Sequence, residues 1–281
     1  MNNEYASQKP ESPGGIQISY MFLNKIMRLV LASYFIDGNL NTKQAQLNNI
    51  IKKINKSEDG KHIIKKGVDQ KKDQSYVLWG IPKETISKTI LPLGELTKEE
   101  VRQIARNNNL ETADEPESME ICFIADNNYK RFINEYASDK IKNINSGKTL
   151  NEEGKQIGEN SGYVNYTIGQ RKGIGLSNPE PLYVKNIDSI KNTITVSDKK
   201  SLFSSKCKIS NINWLVKQPT FPLNAKCQIR YNGNGAEAVI DKNDNIHSVN
   251  FNEPQLAITP GQSIVFYNNN ILLGGGIIEP A

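Results

Sequence analysis

Four short stretches of this 281-residue chain carry residue types that could do chemistry. The first is Glu117-Ser118-Met119-Glu120-Ile121-Cys122-Phe123-Ile124, where a thiol sits inside a run that would pack as a short buried strand. As a thiolate Cys122 would be a nucleophile or a sulfur carrier, and nearby cations or a helix N-terminus would lower its pKa from about 8.5. The alternative is a core cysteine, since free Cys is among the most buried residue types. The second stretch is Gly169-Gln170-Arg171-Lys172-Gly173-Ile174-Gly175. Its glycines permit a tight turn that offers backbone N–H groups and two cationic side chains to an anion. A hairpin turn that happens to be charged has the same spelling. The third, Lys72-Asp73-Gln74-Ser75-Tyr76, could contact nucleotide sugar, phosphate or base edges. The fourth, Arg230-Tyr231, sits at the end of a predicted strand and pairs a cation with a stacking ring. That pairing suits a splayed-out RNA base, although a solvent-facing Arg beside a half-buried Tyr looks alike in sequence.

The elements that must position these stretches change character along the chain. Residues 1–15 are polar and rich in Pro and Gly, and are expected to lack stable structure. Apolar spacing predicts helices over 20–36 and 42–54, a pair that needs something to pack on. Residues 56–74 are the most basic part, with a short strand predicted at 62–64. Thr97-Lys98-Glu99-Glu100 is a capping box that opens a helix from Lys98 to about Asn107, with Val101, Ile104 and Ala105 expected inward. A further short helix is predicted over 129–136. From about Gly147 onward the pattern is β, with strands expected near 164–168, 182–184, 193–196, 212–215, 227–231, 236–240, 263–267 and 271–278. Asn232-Gly233-Asn234-Gly235 is a hairpin signature. Short strands at regular spacing predict a small closed barrel after about residue 201.

Composition bounds the function. A chain of 281 residues can bury a sizeable core and divides into two or three domains. Hydrophobic content of 37% with 23% charged residues is ordinary for a soluble globular protein. Cys122, Cys207 and Cys227 are odd in number and follow no short repeat, which argues against a disulfide framework and for a reducing compartment. With two histidines, no CxxC and no Cys/His cluster, a structural zinc site is not expected. A net charge of +5 leans towards a polyanionic partner. The segment 20–36 contains Lys25 and Arg28 and is too short and too charged for a bilayer helix. The chain therefore reads as cytoplasmic, with no membrane partner.

Taken together the motifs become recognisable. KDQSYVLWG (72–80), LPLGELTKEEVR (91–102), ESMEICFI (117–124), NYTIGQRKGIG (165–175), PLYV (181–184), NWL (213–215), QIRYNG (228–233), TPGQSIVFY (259–267) and LGGGII (273–278) occur in that order. In combination they resemble the bacterial tRNA-specific 2-thiouridylase family, MnmA, from about Gly60 to Glu279. The resemblance implies an α+β, multidomain architecture. Its parts would be a divergent N-terminal segment with a remnant of an α/β PP-loop ATPase domain (1–124), a small central β-rich tRNA-binding domain (125–200) and a C-terminal small β-barrel (201–281).

It also implies an activity, in which ATP, with Mg, adenylates the C2 oxygen of the wobble uridine. Sulfur carried as a cysteine persulfide then replaces that oxygen. Cys122 matches the family's persulfide-bearing cysteine. Lys72, Asp73, Gln74, Arg230, Tyr231 and Gln262 match tRNA contacts, and Arg171 and Lys172 are added as cations of the same kind. The implied partners are tRNA and a sulfur-relay donor protein, with no DNA. The sequence departs from the family pattern in its N-terminal part. An SGGxDS loop is absent, and Ser12-Pro13-Gly14-Gly15 is a superficial echo of it. No cysteine precedes Cys122, and no ATGHY-type segment is present. The chain thus reads as an N-terminally truncated or rearranged thiouridylase that binds no ATP as written, with a non-catalytic tRNA-binding remnant as the alternative.

Overall fold

The computed structural model of the protein describes residues 62–89, 91–114, 131, 135, 144–244 and 246–280. The helices predicted over 20–36 and 42–54, the strand around Cys122 and most of the helix predicted over 129–136 lie outside them. Arg131 and Glu135, at helical spacing, form an ion pair.

The first elements among the described residues are β1 (Ile64–Lys65) and two 3-10 helices, Ser75–Gly80 and Lys83–Lys88, followed by α1 (Lys98–Asn107) and a 3-10 turn at Glu111–Asp114. A four-stranded sheet follows, made of β2 (Gly147–Leu150), β3 (Gln156–Asn160), β4 (Tyr183–Asp188) and β5 (Thr193–Ser197). Its order is β3-β2-β5-β4, with β2 and β5 parallel and the other pairs antiparallel. Val184, Ile194 and Val196 pack with Ile174 to form its core.

The remaining strands are β6 (Phe203–Trp214), β7 (Leu223–Gln228), β8 (Ala236–Asn243), β9 (Ile246–Leu256), β10 (Ser263–Asn268) and β11 (Ile271–Ile278). They pair antiparallel in the order β11-β10-β7-β8-β9-β6, and β11 also pairs with β6, so the barrel is closed. β1 adds to β11 from outside, with Ile64 opposite Leu272.

Period-two alternation explains why β10 is an unbroken apolar run. Ile264 and Phe266 point into the barrel core with Ile209, Ile240 and Val249. Val265 and Tyr267 point outward, beneath Ile64, Tyr76, Ile81 and Ile86 from the N-terminal segment. Both faces of the strand are covered, as such runs require. Gly275 allows this seam to close: a Cβ there would lie 2.7 Å from the Ile264 carbonyl oxygen and 2.8 Å from the Trp79 ring.

Two sequence expectations need correction. The strand predicted over 164–168 is instead a 3-10 turn, Tyr163–Asn165. Side-chain bonds compete with a ladder there: the Gly162 N–H donates to Asn160 Oδ1 (2.8 Å) and Asn165 Nδ2 donates to the Ser161 carbonyl (2.7 Å). The second concerns α1, whose capping box forms as expected. The Thr97 N–H donates to Glu100 Oε2 (2.7 Å) and the Glu100 N–H to Thr97 Oγ1 (3.3 Å). Its apolar residues, however, are not inward. Val101 and Ala105 are half-buried and Ile104 is 48% exposed. Local signals specify the helix, and nothing in them specifies a covering element. Among the described residues no helix is long and apolar enough to cross a membrane.

Candidate nucleic-acid interface

The Lys72–Tyr76 stretch is folded onto the outside of the barrel. Asp73 builds its turn: Oδ1 accepts the N–H groups of Gly67 (2.8 Å) and Ser75 (3.3 Å), and Oδ2 accepts Ser75 Oγ (2.7 Å). Ser75 Oγ in turn lies 3.1 Å from the Tyr267 hydroxyl. The Asp73 carboxylate is therefore occupied in structure, while Lys72 and Gln74 are exposed. Burial raises the Tyr76 hydroxyl's pKa well above the ordinary phenol value, and this group donates to the Ser263 carbonyl (2.8 Å). Ser263 follows Gln262, which is exposed and held through its backbone: its N–H donates to the Thr259 carbonyl (3.2 Å) and its carbonyl accepts from Ile278 (2.9 Å).

Arg230 and Tyr231 lie just beyond β7, which ends at Gln228 rather than running through Tyr231. Both are exposed, Tyr231 by 45%, and its ring meets Tyr76 edge-on with centroids 6.1 Å apart. Arg230 Nη2 donates to the carbonyls of Leu256 (3.3 Å) and Ala257 (3.1 Å). These contacts fix the guanidinium beside the glycine-rich loop. Gly169 has φ +86°, and a Cβ there would lie 3.1 Å from the Ala257 Cβ.

The loop differs from expectation in what it offers. The N–H groups of Gly169 and Gln170 already donate to the carbonyls of Val184 (2.8 Å) and Thr167 (3.0 Å). The Gln170 side chain accepts from the Thr167 N–H (3.0 Å) and donates to the Lys172 carbonyl (2.9 Å). These two amides are closed to an anion; what the loop presents is the exposed side chains of Arg171 and Lys172. Turn, barrel loop and glycine loop thus form a contiguous run of contacts that carries Lys72, Gln74, Tyr231, Arg230 and Gln262. Cations beside a ring are the ingredients of single-stranded RNA recognition.

Sequence reasoning missed three residues beneath this surface: Lys66, Gln228 and Tyr267. Lys66 was hidden in a lysine-rich run. Gln228 opens the QIRYNG motif, and Tyr267 closes TPGQSIVFY, so both carried a signal that went unread.

Cys122 lies outside the described residues. Cys207 and Cys227 are buried free thiols in the barrel core. Burial pushes the Cys207 thiol up to about 12 and Cys227 well above the ordinary thiol range, so neither supplies a thiolate near neutral pH. The glycine loop has two of its amides closed, and among the described residues no group of three or more His, Cys, Asp or Glu could hold a metal ion.

Comparison with known proteins gives three domain matches. Residues 39–126 match a model described as tRNA methyl transferase HUP domain, residues 130–198 a tRNA methyl transferase PRC-barrel domain, and residues 204–278 an aminomethyltransferase beta-barrel domain. The first match begins ahead of Gly60, so the resemblance reaches further towards the N-terminus than the motifs alone indicate. The tRNA-specific 2-thiouridylase MnmA of Carboxydothermus hydrogenoformans is 44% identical over 230 residues, covering 80% of this chain and 62% of its own length. That of Chlorobium luteolum is 42% identical over 229 residues, with 79% and 62% covered. That of Halothermothrix orenii is 36% identical over 282 residues, covering 99% of this chain and 75% of the relative. The chain spans less than two thirds of the length of the first two.

Proposed function

Because this chain belongs to the tRNA-specific 2-thiouridylase family, we propose that it docks tRNA on the surface just described and carries the transferable sulfur on Cys122. The observation that carries the docking is the run of contacts from the Lys72–Gln74 turn through Tyr76 and Tyr231 to Arg230, which lies beside Gly169 of the glycine-rich loop. Exposed cations supply phosphate pairing, and the Tyr231 ring, backed edge-on by Tyr76, supplies a stacking platform for an unpaired base. The barrel and the four-stranded sheet would serve as the docking domains.

The chemistry assigned to Cys122 is nucleophilic. Its thiolate attacks the terminal sulfur of a donor protein's persulfide and displaces the donor's thiolate, so that Cys122 holds the sulfur as its own persulfide. Transfer of that sulfur to C2 of the wobble uridine breaks the bond to the activated oxygen, which leaves with its activating group, and a second thiol breaks the Cys122 S–S bond and ends in a disulfide with Cys122. Activation of that carbonyl by ATP belongs to the family reaction, and docking does not depend on it.

Filter binding of tRNA across a salt series tests the reading. Log affinity should fall linearly with log salt, because cation–phosphate pairing releases counterions. Lys172→Ala should reduce that slope by about 1. Arg230→Ala should weaken binding in a manner that depends on RNA sequence. Unchanged slope and affinity in both variants would overturn the docking surface.

A further inference from the structure

Beneath the exposed contacts runs a connected set of polar groups that docking itself does not use. Gln228 is only 5% exposed, and its whole amide is engaged. Nε2 donates to the carbonyls of Arg230 and Tyr231, both at 2.9 Å, while Oε1 accepts Lys66 Nζ at 3.5 Å. The same ammonium sits 3.9 Å from the centroid of the Tyr267 ring. The Tyr267 hydroxyl is 3.1 Å from Ser75 Oγ, which donates to Asp73. One path therefore joins the backbone of the Arg230-Tyr231 turn, through Gln228, Lys66, Tyr267 and Ser75, to the side chain that shapes the Lys72–Gln74 turn.

Two physical features set this path apart from ordinary packing. A lysine beside an aromatic seam gives up hydration, and burial lowers the Lys66 pKa while the neighbouring Asp73 opposes that effect. A cation over a ring recovers part of that loss. Gln228, meanwhile, holds two successive carbonyls with one amide, which dictates the shape of the turn displaying Arg230 and Tyr231. Satisfied buried networks of this kind rigidify what they connect.

We propose that Gln228 and Lys66 are positioning residues for RNA recognition, locking the Arg230-Tyr231 turn to the Lys72–Gln74 turn so that tRNA meets one preformed reader. The inference rests on the docking reading above. Without the lock, the two turns would have to be ordered at the moment of binding, and that cost comes out of affinity. The number of cation–phosphate pairs would not change, so the salt slope would stay where it is.

The test uses the full chain with Gln228→Leu, Lys66→Met and Lys66→Arg, measured by tRNA filter binding across salt alongside wild type and Arg230→Ala. Gln228→Leu removes two good hydrogen bonds and should weaken binding about tenfold at fixed salt, with an unchanged log–log slope. Lys66→Met should act in the same direction, and Lys66→Arg should restore affinity to within about threefold of wild type by keeping a cation over the Tyr267 ring. Hydrogen exchange of free protein should show faster exchange confined to 229–233 in Gln228→Leu. Should that variant fail to fold, the Lys66 pair carries the test. A slope lowered by about 1 in Lys66→Met would make Lys66 a phosphate contact and overturn the positioning role. So would wild-type affinity in Gln228→Leu or in Lys66→Met while Arg230→Ala is weakened. Wild-type protein that shows no salt-dependent tRNA binding would instead sink the docking reading itself.

Discussion

In β10 the side chains of Ile264, Val265, Phe266 and Tyr267 are all fully buried, whereas in α1 Ile104, at a core-type position of a well-capped helix, stands half open to solvent. Both elements have strong local signals. β10 has an apolar run bounded by turns, and α1 has a capping box with apolar residues on one side. The difference lies in what covers them. β10 lies between the barrel interior and the N-terminal segment, while α1 packs on the Glu111–Asp114 turn, where Arg102 Nη1 donates to the Ala113 carbonyl (3.1 Å). An apolar pattern identifies a face that could be buried; a second element decides whether it is.

The contrast can be broken most directly by truncating one residue on each side of it. Phe266→Ala should destabilise the protein by about 3–5 kcal/mol in urea unfolding, through lost contacts and a cavity. Ile104→Ala should stay within about 0.5 kcal/mol, as exposed positions do. A cost above about 2 kcal/mol for Ile104→Ala would show that α1 is covered in solution, and the contrast would fall.

Alkaline titration sharpens the same point on the outer face of β10. Burial, partly offset by the Ser75 hydrogen bond, raises Tyr267 to about 12 from an ordinary value of 10.0. Its folded pKa exceeds its unfolded one, so this stability is fully present below about pH 10 and disappears as pH rises through about 12. The loss should be on the order of 2 kcal/mol. Tyr267→Phe should remove this share of the alkaline loss and keep the share of Tyr76, whose hydroxyl burial also raises, as read from urea midpoints between neutral and high pH.

A smaller effect is expected where the N-terminal segment is tied to the barrel. Asn213 Nδ2 donates to the carbonyls of Trp79 (2.7 Å) and Ile81 (2.8 Å). Asn213→Ala should cost about 1–2 kcal/mol and shift Trp79 emission, because two partly buried carbonyls lose their donor. A modest effect is expected at the start of α1. Thr97→Ala removes the cap and should cost about 1 kcal/mol, with a matching loss of helical circular dichroism.

Much of the barrel was legible because hairpin chemistry and period-two patterns are local. The strands at 193–196 and 263–267 and the closing run at 271–278 all lie inside observed elements, and Asn232–Gly235 lies in the loop that joins β7 to β8. The turn at Tyr163–Asn165 was misread because apolar and aromatic residues at strand-like spacing outweighed the Asn side chains that bend the chain. The exposure of Arg171 and Lys172 was legible through charge beside glycine. Gln228 and Lys66 were not, because a buried amide and a lysine over a ring are defined by partners far away in sequence. Lys66 and Gln228 stand 162 positions apart.

The addition of β1 to β11 has a consequence for how the protein is made. Ser75 meets Tyr267 across 192 positions, and the backbone N–H of Lys66 donates to the carbonyl of Asn270 (2.7 Å). At about 5–20 residues per second, a ribosome needs roughly 10–40 s to travel from one to the other. During that interval Ile64, Tyr76, Ile81 and Ile86 have no outer barrel wall to lie on. The nascent chain must keep this apolar stretch from associating with itself or with neighbours until β10 and β11 emerge. The segment presenting Lys72 and Gln74 takes its final shape only after those two strands are made.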